Sequence, residues 1–261
     1  MPRIGVLMMQ NMGVPRVAYI QLSIVRWLEA AGITVVPIPP NIGVAEGAAY
    51  FEYIHGLFLH PGWADQPAYA ALAHIFLTMA ASANSQGDYF PVWGTCQGFQ
   101  RLIQFFGSPL ENLKSLRFST GTRFILQSER QESRILRYAS DAQFAHLKHD
   151  YVPWFNHEYG ISLRTFRASK RLGSAFRVLS TSHDRAGTEY VSMIEGRKLP
   201  FYGVQFHPDQ HPASQGWMAL FLASELTKSR HSGFHPRPTL QLTDAEIEEE
   251  GLLLKCLSLD L

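Results

Sequence analysis

Residues 90–99 read Phe90-Pro91-Val92-Trp93-Gly94-Thr95-Cys96-Gln97-Gly98-Phe99. An apolar run gives way to Gly-x-Cys-x-Gly and then to the start of a helix. This is the cysteine form of a nucleophile elbow, in which a sharp strand-to-helix turn lifts one side chain above a sheet. The flanking glycines supply the room that such a turn requires. A thiol at a helix N-terminus also sits where unpaired N–H groups point, which favours the thiolate. Cys96 is therefore a candidate nucleophile. A short pattern can recur by chance around a structural cysteine, and it is the strand before and the helix after that give this one weight.

Working outward, residues 4–9 read as a strand and residues 19–31 as an amphipathic helix. Ile20, Ile24, Trp27 and Leu28 share one face of that helix, and Gly32 stops it. Residues 33–38 form a β-branched strand closed by Pro39-Pro40. Residues 56–60 form another strand, ending at Pro61-Gly62, and residues 68–83 are Ala-rich and helical. A strand at 89–93 leads into the elbow, and a helix at 99–106 is broken by Gly107-Ser108-Pro109. Strands alternating with helices, and apolar throughout, predict an α/β fold with a doubly wound parallel sheet buried on both faces. In such sheets reactive groups gather outside the carboxyl ends of the strands. Cys96 and Pro61-Gly62 both fall at such ends.

The second half is richer in strands, at 176–180, 190–194 and 201–206, before a helix at 215–228. From Ser229 the composition changes. Pro236 and Pro238 interrupt the chain, and residues 243–250 read as an acidic helix with Asp244 and Glu246 in its first turn. This divides the sequence into one catalytic-type domain, 1–228, and an appended surface tail, 229–261.

Composition bounds the function. The chain has 261 residues, 46% of them hydrophobic, enough for one sizeable core. A formal net charge of +1 gives no global pull toward nucleic acid or membrane, so neither is expected as a partner. Two cysteines, Cys96 and Cys256, are too few for a disulfide framework. A bridge between them would consume the proposed nucleophile. The opening residues are too short an apolar run for a signal peptide, and no run approaches a membrane span. No Asn-x-Ser/Thr sequon occurs. As read, the chain looks cytoplasmic.

An attacking thiol needs a base. Of 11 histidines, His207 stands out in Gln205-Phe206-His207-Pro208-Asp209, just past a buried strand. Asp209 is placed to orient the imidazole as the third member of a triad; the alternative is a His and an Asp in an ordinary loop. His157, in Trp154-Phe155-Asn156-His157-Glu158-Tyr159, suits a pocket wall, or else a half-buried loop histidine. His60, His207 and His211 do not fall at a recurrent zinc-ligand spacing, so no metal is expected. A tetrahedral intermediate needs two backbone N–H donors. Gln97 would give one, and the Pro61-Gly62-Trp63 turn the other.

Taken together, these segments resemble the gamma-glutamyl hydrolase family of the class I glutamine-amidotransferase-like superfamily. The similarity runs through Arg3-Ile-Gly-Val-Leu, Tyr19-Ile20, Trp27-Leu-Glu-Ala-Ala-Gly and Val35-Val-Pro-Ile. It is nearly residue for residue over Gly87-Asp-Tyr-Phe-Pro-Val-Trp-Gly-Thr-Cys96-Gln-Gly-Phe. It continues through Phe155-Asn156-His157, Ser192-Met-Ile-Glu-Gly and Pro200-Phe-Tyr-Gly-Val-Gln-Phe-His207-Pro. It spans residues 3 to 228, with a weak middle at 108–150. The resemblance implies a flavodoxin-like, three-layer α/β/α sandwich with a mostly parallel sheet. It implies hydrolysis of gamma-linked glutamate from folate or antifolate polyglutamates, with Cys96 as nucleophile and His207 as its partner. His157 would lie in the cleft, with Asn156, Gln100, Tyr19 and Trp63 as further substrate contacts. No cofactor is implied. Family members are commonly dimeric, and often vacuolar, lysosomal or secreted.

Three positions depart from the family pattern. Asp209 stands where the family has Glu, one methylene longer. Trp63 stands where the family has the second Gly of Pro-Gly-Gly. Gln100 stands where the family has Glu, removing a negative charge near the thiol. These departures motivate a second reading, an altered or inactive binding protein on the same scaffold. A third reading is a glutaminase-type amidotransferase component serving a synthetase. A polyanionic substrate tail would call for cations, and Arg16, Arg101, Lys170 and Arg171 are candidates by charge alone.

Overall fold

The computed structural model describes residues 1–10, 17–62, 66–113, 124–149, 153–210, 212–233, 243–249 and 252–258. The first half contains strands β1 (Arg3–Leu7), β2 (Met9–Gln10) and β3 (Val17–Gln21), helix α1 (Leu22–Glu29), β4 (Thr34–Ile38), α2 (Val44–Tyr53), β5 (Gly56–Leu59), α3 (Pro67–Ser85), β6 (Val92–Thr95) and α4 (Gln97–Phe105). There follow β7 (Glu111–Asn112), β8 (Ile125–Leu126), α5 (Arg134–Tyr138), α6 (Asp141–His149), β9 (Tyr159–Gly160), α7 (Leu163–Ala168) and α8 (Lys170–Ala175). The chain closes with β10 (Phe176–His183), β11 (Glu189–Gly196), β12 (Phe201–Val204), α9 (Pro212–Leu226), β13 (Thr243–Glu249) and β14 (Leu252–Ser258).

The central sheet has eight strands in the order β4-β1-β5-β6-β12-β11-β10-β8. The block from β4 to β12 is parallel, and β11, β10 and β8 extend it with antiparallel pairings. Alternate side chains along each strand enter different layers, as a two-residue period requires. Phe58, Trp93 and Tyr202 pack with Ile24, Trp27 and Leu28 of α1 and with Met218, Phe221 and Leu222 of α9. Leu57, Leu59, Val92 and Phe201 pack on the opposite side with Tyr50 and Phe51 of α2, Phe76 of α3 and Phe99 of α4. The result is the three-layer α/β/α sandwich. Among the described residues no helix is long and apolar enough to cross a membrane.

Two expected helices are corrected. Residues 19–21 belong to strand β3 rather than to the first turn of a helix, so α1 starts only at Leu22. The acidic segment 243–249 is a strand and not a helix. It turns back on β14, and β14 pairs antiparallel with β3 in a second sheet ordered β13-β14-β3-β2. The two corrections have one cause. An open β3 edge needs a strand partner, and 252–258 supplies it, so pairing overrides helix propensity at both ends of the chain. The tail is therefore joined to the fold through its backbone.

Smaller shifts follow from local chemistry. The strand expected at 89–93 runs instead over Val92–Thr95, after Pro91. Pro cannot donate to a sheet ladder. The helix after the elbow begins two residues early, at Gln97.

Candidate active site

β6 is fully buried between β5 and β12, and its chain turns sharply into α4 at Cys96. There the backbone has φ 52° and ψ −105°, and among the described residues no other non-glycine has a positive φ. A side chain in this region is strained, and such strain collects at functional sites. The flanking glycines permit close approach. A Cβ on Gly94 would stand 2.6 Å from the Gly98 backbone, and one on Gly98 would stand 2.1 Å from the Leu59 oxygen. The first turn of α4 thus lies directly on the ends of β5 and β6.

Cys96 is a free thiol, only 3% exposed, and its sulfur donates to the Asn156 carbonyl oxygen at 3.7 Å. Burial pushes the thiol up to about 12. The Gln97 N–H and the Gln205 amide pull it down, and the Asp209 charge pushes it up slightly. The Gln97 N–H at the start of α4 favours the thiolate, but desolvation outweighs it, against the expectation from sequence.

His207 lies three residues past β12, and β12 pairs in register with β6 at Thr95 and Val204. The thiol and the imidazole therefore leave the carboxyl ends of neighbouring parallel strands. The His207 N–H donates to the Trp154 oxygen at 3.1 Å, and its ring stands edge-on to Trp154. Among the described residues neither ring nitrogen has a hydrogen-bond partner. Burial lowers the imidazole below its ordinary value, and the Asp209 charge partly restores it.

Asp209 sits in a 3₁₀ turn, Pro208–Gln210. Its Oδ2 accepts from Ser23 Oγ at 2.6 Å and from Gln210 Nε2 at 2.8 Å. The orienting hydrogen bond expected from the His207 ring N–H to Asp209 is not made. The shorter side chain is held by α1, and its influence on the imidazole is through charge alone.

The remaining candidates separate. His157 is buried, its Nδ1 is 3.1 Å from the Tyr159 oxygen, and its Nε2 has no partner among the described residues. Burial, and secondarily His207, lower it to about 3, so His157 and His207 share one electrostatic environment. The Asn156 side-chain amide is likewise buried without a partner, while its carbonyl faces the sulfur. Gln100 is differently used. Its Nε2 donates to the Tyr159 oxygen at 2.7 Å, tying α4 to the segment that carries Asn156 and His157. Tyr19 stands edge-on to His60, the residue before the Pro61-Gly62 turn. Gly62 reaches the elbow, since a Cβ there would meet the Gln97 side chain at 2.4 Å. Trp63, Arg16 and His211 lie outside the described residues.

Of the cationic candidates, Arg101, Lys170 and Arg171 lie among the described residues. Arg171 packs against Gly107, beyond the far end of α4 from Cys96, and neighbouring Lys170 is exposed. Arg101 donates to Gln104 on its own helix. Among the described residues no group of three or more His, Cys, Asp and Glu side chains could hold a metal ion. Two residues given no catalytic part from sequence also belong to the neighbourhood: Gln205, beside the sulfur, and His60, beneath the Pro61-Gly62 turn. Adjacency in the chain to His207 and to Gly62 was the available signal.

This fold, with a cysteine elbow beside a strand-end histidine, defines a class I glutamine-amidotransferase domain, and that family matches residues 18–224. Gamma-glutamyl hydrolase of Rattus norvegicus is 33% identical over 253 residues, covering 88% of this chain and 79% of its own. The Mus musculus gamma-glutamyl hydrolase is 32% identical over 260 residues with the same coverage. In fold, the chain is similar to PurLQS from Thermotoga maritima. The TM-score is 0.54 at 13% identity, covering 87% of this chain and 97% of that one. Within the class, the chain belongs to the gamma-glutamyl hydrolase family.

Proposed function

We propose that this chain is a cysteine hydrolase that cleaves gamma-glutamyl bonds of folate or antifolate poly-gamma-glutamates through a thioester. The observation that carries the reading is the strained Cys96 elbow beside the strand end that delivers His207. Membership of a family whose relatives are named gamma-glutamyl hydrolase supplies the bond class. His207 takes the thiol proton as Cys96 attacks the gamma-amide carbonyl. The Gln97 and Gly62 N–H groups receive the developing oxyanion. His207 then protonates the departing amine, leaving a gamma-glutamyl thioester. Water, deprotonated by His207, attacks that thioester and releases the shortened folyl gamma-glutamate, the distal glutamate or gamma-glutamyl peptide having already left as the amine. Asp209 stabilises the imidazolium by its charge. His157 and the Asn156 amide offer buried polar atoms to the glutamyl group.

The test is incubation with a folate polyglutamate, chromatography of the products and a Cys96→Ala control. Loss of chain length with native protein alone is the expected result; equal survival of substrate in both samples overturns the reading. A second reading, a binding protein without turnover, draws on the protonated thiol and on the imidazole nitrogens without partners. The same experiment decides between them, because a binding protein retains the substrate without shortening it.

A further inference from the structure

His60 is fully buried at the end of β5, immediately before the Pro61-Gly62 turn. It is neither a nucleophile nor a base in the reaction proposed above, and a buried imidazole is costly unless its ring nitrogens are satisfied. Both are. The backbone N–H of Gln21, the last residue of β3, donates to His60 Nε2 at 2.9 Å. That bond makes Nε2 the acceptor, so the ring proton belongs on Nδ1. Nδ1 is in hydrogen-bond contact with the Pro61 carbonyl oxygen. The ring is clamped by its surroundings: Tyr19 lies edge-on to it at 5.8 Å, and Tyr69 Oη donates to the His60 carbonyl at 2.9 Å.

The Pro61 carbonyl belongs to the peptide whose other half is the Gly62 N–H. A trans peptide is planar, and its C=O and N–H point in opposite directions. Fixing the Pro61 oxygen on the His60 side therefore turns the Gly62 N–H away from the ring. Gly62 also stands against Gln97, the residue that follows the thiol, so closely that a Cβ would be 2.4 Å from Gln97 Oε1. We propose that His60 is a positioning residue for the oxyanion site: as the neutral Nδ1–H tautomer fixed by β3, it holds the Pro61–Gly62 peptide with its N–H directed to the reacting carbonyl oxygen. The role rests on the hydrolase reading. Its chemistry needs an uncharged donor, and burial holds His60 down at about 3, with a small further contribution from His207. Tyr19, Tyr69 and His207 are the titratable groups that face or couple to it.

Three variants separate positioning from packing. His60→Phe keeps a ring and removes both hydrogen bonds. In His60→Asn the side-chain amide nitrogen falls near the Nδ1 position and keeps a donor for Pro61. In His60→Gln the longer amide reaches the Nε2 position and keeps a partner for Gln21 alone. The expected result is a kcat lower by roughly tenfold to a hundredfold in His60→Phe and His60→Gln, within the loss caused by removing an oxyanion donor. KM should change less than about twofold and His60→Asn should recover most of kcat, because the lost interaction acts in the transition state. Unchanged kcat in folded His60→Phe overturns the proposal. So does an equal loss in all three variants that tracks their melting temperatures.

A readout independent of turnover is the ¹⁵N spectrum of the native imidazoles. His60 should show a protonated Nδ1 and an unprotonated Nε2, unchanged from neutral pH down to pH ~5, below the ordinary histidine range. The opposite tautomer, or titration near pH ~6.5, overturns the positioning role even if the protein hydrolyses its substrate. The expected spectrum from a protein that leaves folate polyglutamates intact sinks the hydrolase reading instead.

Discussion

The Cys96 backbone N–H donates to the Val204 carbonyl oxygen at 2.8 Å. The residue carrying the thiol is thus stitched to the last residue of the strand that leads to His207. The elbow and the histidine strand form one unit, which keeps thiol and imidazole in register without any bond between their side chains. It also gives the strain at Cys96 a structural anchor, since the ladder on one side and α4 on the other over-determine the turn.

That strain can be measured by removing it. At φ 52° a glycine is free of the Cβ conflict that cysteine or alanine suffers. Cys96→Gly should therefore be more stable than Cys96→Ala, by about 1 kcal/mol, the lower end of the cost of such a conformation. Both should lose hydrolysis by roughly three orders of magnitude or more. Thermal unfolding of the two variants side by side checks the first statement, and a product assay checks the second. Equal Tm values would mean that the turn stores no strain.

The acid limb of activity should fall below the ordinary histidine value. The resting thiol is held up near 12, so attack depends on neutral His207 taking the proton as the bond forms. His207 is itself pushed below 6.5 by burial. Protonating it stops the reaction, so kcat/KM should hold as pH drops through 6.5 and fail only further down. Asp209→Asn removes the charge that raises His207 and should move the limb lower still, with a loss in kcat of about tenfold. Iodoacetamide should alkylate Cys96 slowly at neutral pH, with a rate still climbing above the ordinary thiol value of ~8.5. A plateau at neutral pH would show an ion pair already formed in the free enzyme.

Much of this geometry was legible in the sequence. Glycines spaced around Cys96 announced the turn because no larger residue fits against Leu59 and Gly98. Apolar runs announced buried parallel strands because both faces of the sheet are covered. Pairing partners were not legible. Residues 243–249 carry helix-favouring acidic side chains, and only the distant edge of β3 makes their hairpin a sheet extension. The fate of Asp209 was hidden for a related reason. Its carboxylate is captured by Ser23, 186 positions away. Charge in a sequence likewise has no address: Arg171 lies at the far end of α4 from Cys96.

Gly98→Ala tests the close packing beneath the elbow. The added methyl would sit 2.1 Å from the Leu59 carbonyl oxygen and 2.7 Å from its carbon, and backbone cannot rotate aside as a side chain does. The expected cost is about 1–3 kcal/mol, the range for overpacking, with loss of activity as α4 lifts from β5. Gly173→Ala in α8 is the control, since nothing lies within 4 Å of its added methyl. Helix propensity alone should make that change stabilising by up to about 1 kcal/mol. Chemical denaturation of both variants measures the contrast. A Gly98→Ala protein as stable and active as the parent would contradict the packing.

Acid stability provides the last prediction. His60 and His157 are held at about 3 in the folded chain, chiefly by burial, whereas imidazoles in an unfolded chain take up protons near ~6.5. Between these values the unfolded state binds more protons than the folded one. Folding stability contributed by the two rings is therefore complete above ~6.5 and declines as pH falls toward 3. Tm measured from neutral pH downward should begin to drop near pH ~6.5, ahead of the carboxylates, which titrate near pH ~4. His60→Phe cannot take up the proton at that position, so its Tm should fall with a shallower slope between pH 6.5 and 3. Parallel slopes for native protein and variant would mean that the His60 ring accepts a proton inside the folded chain.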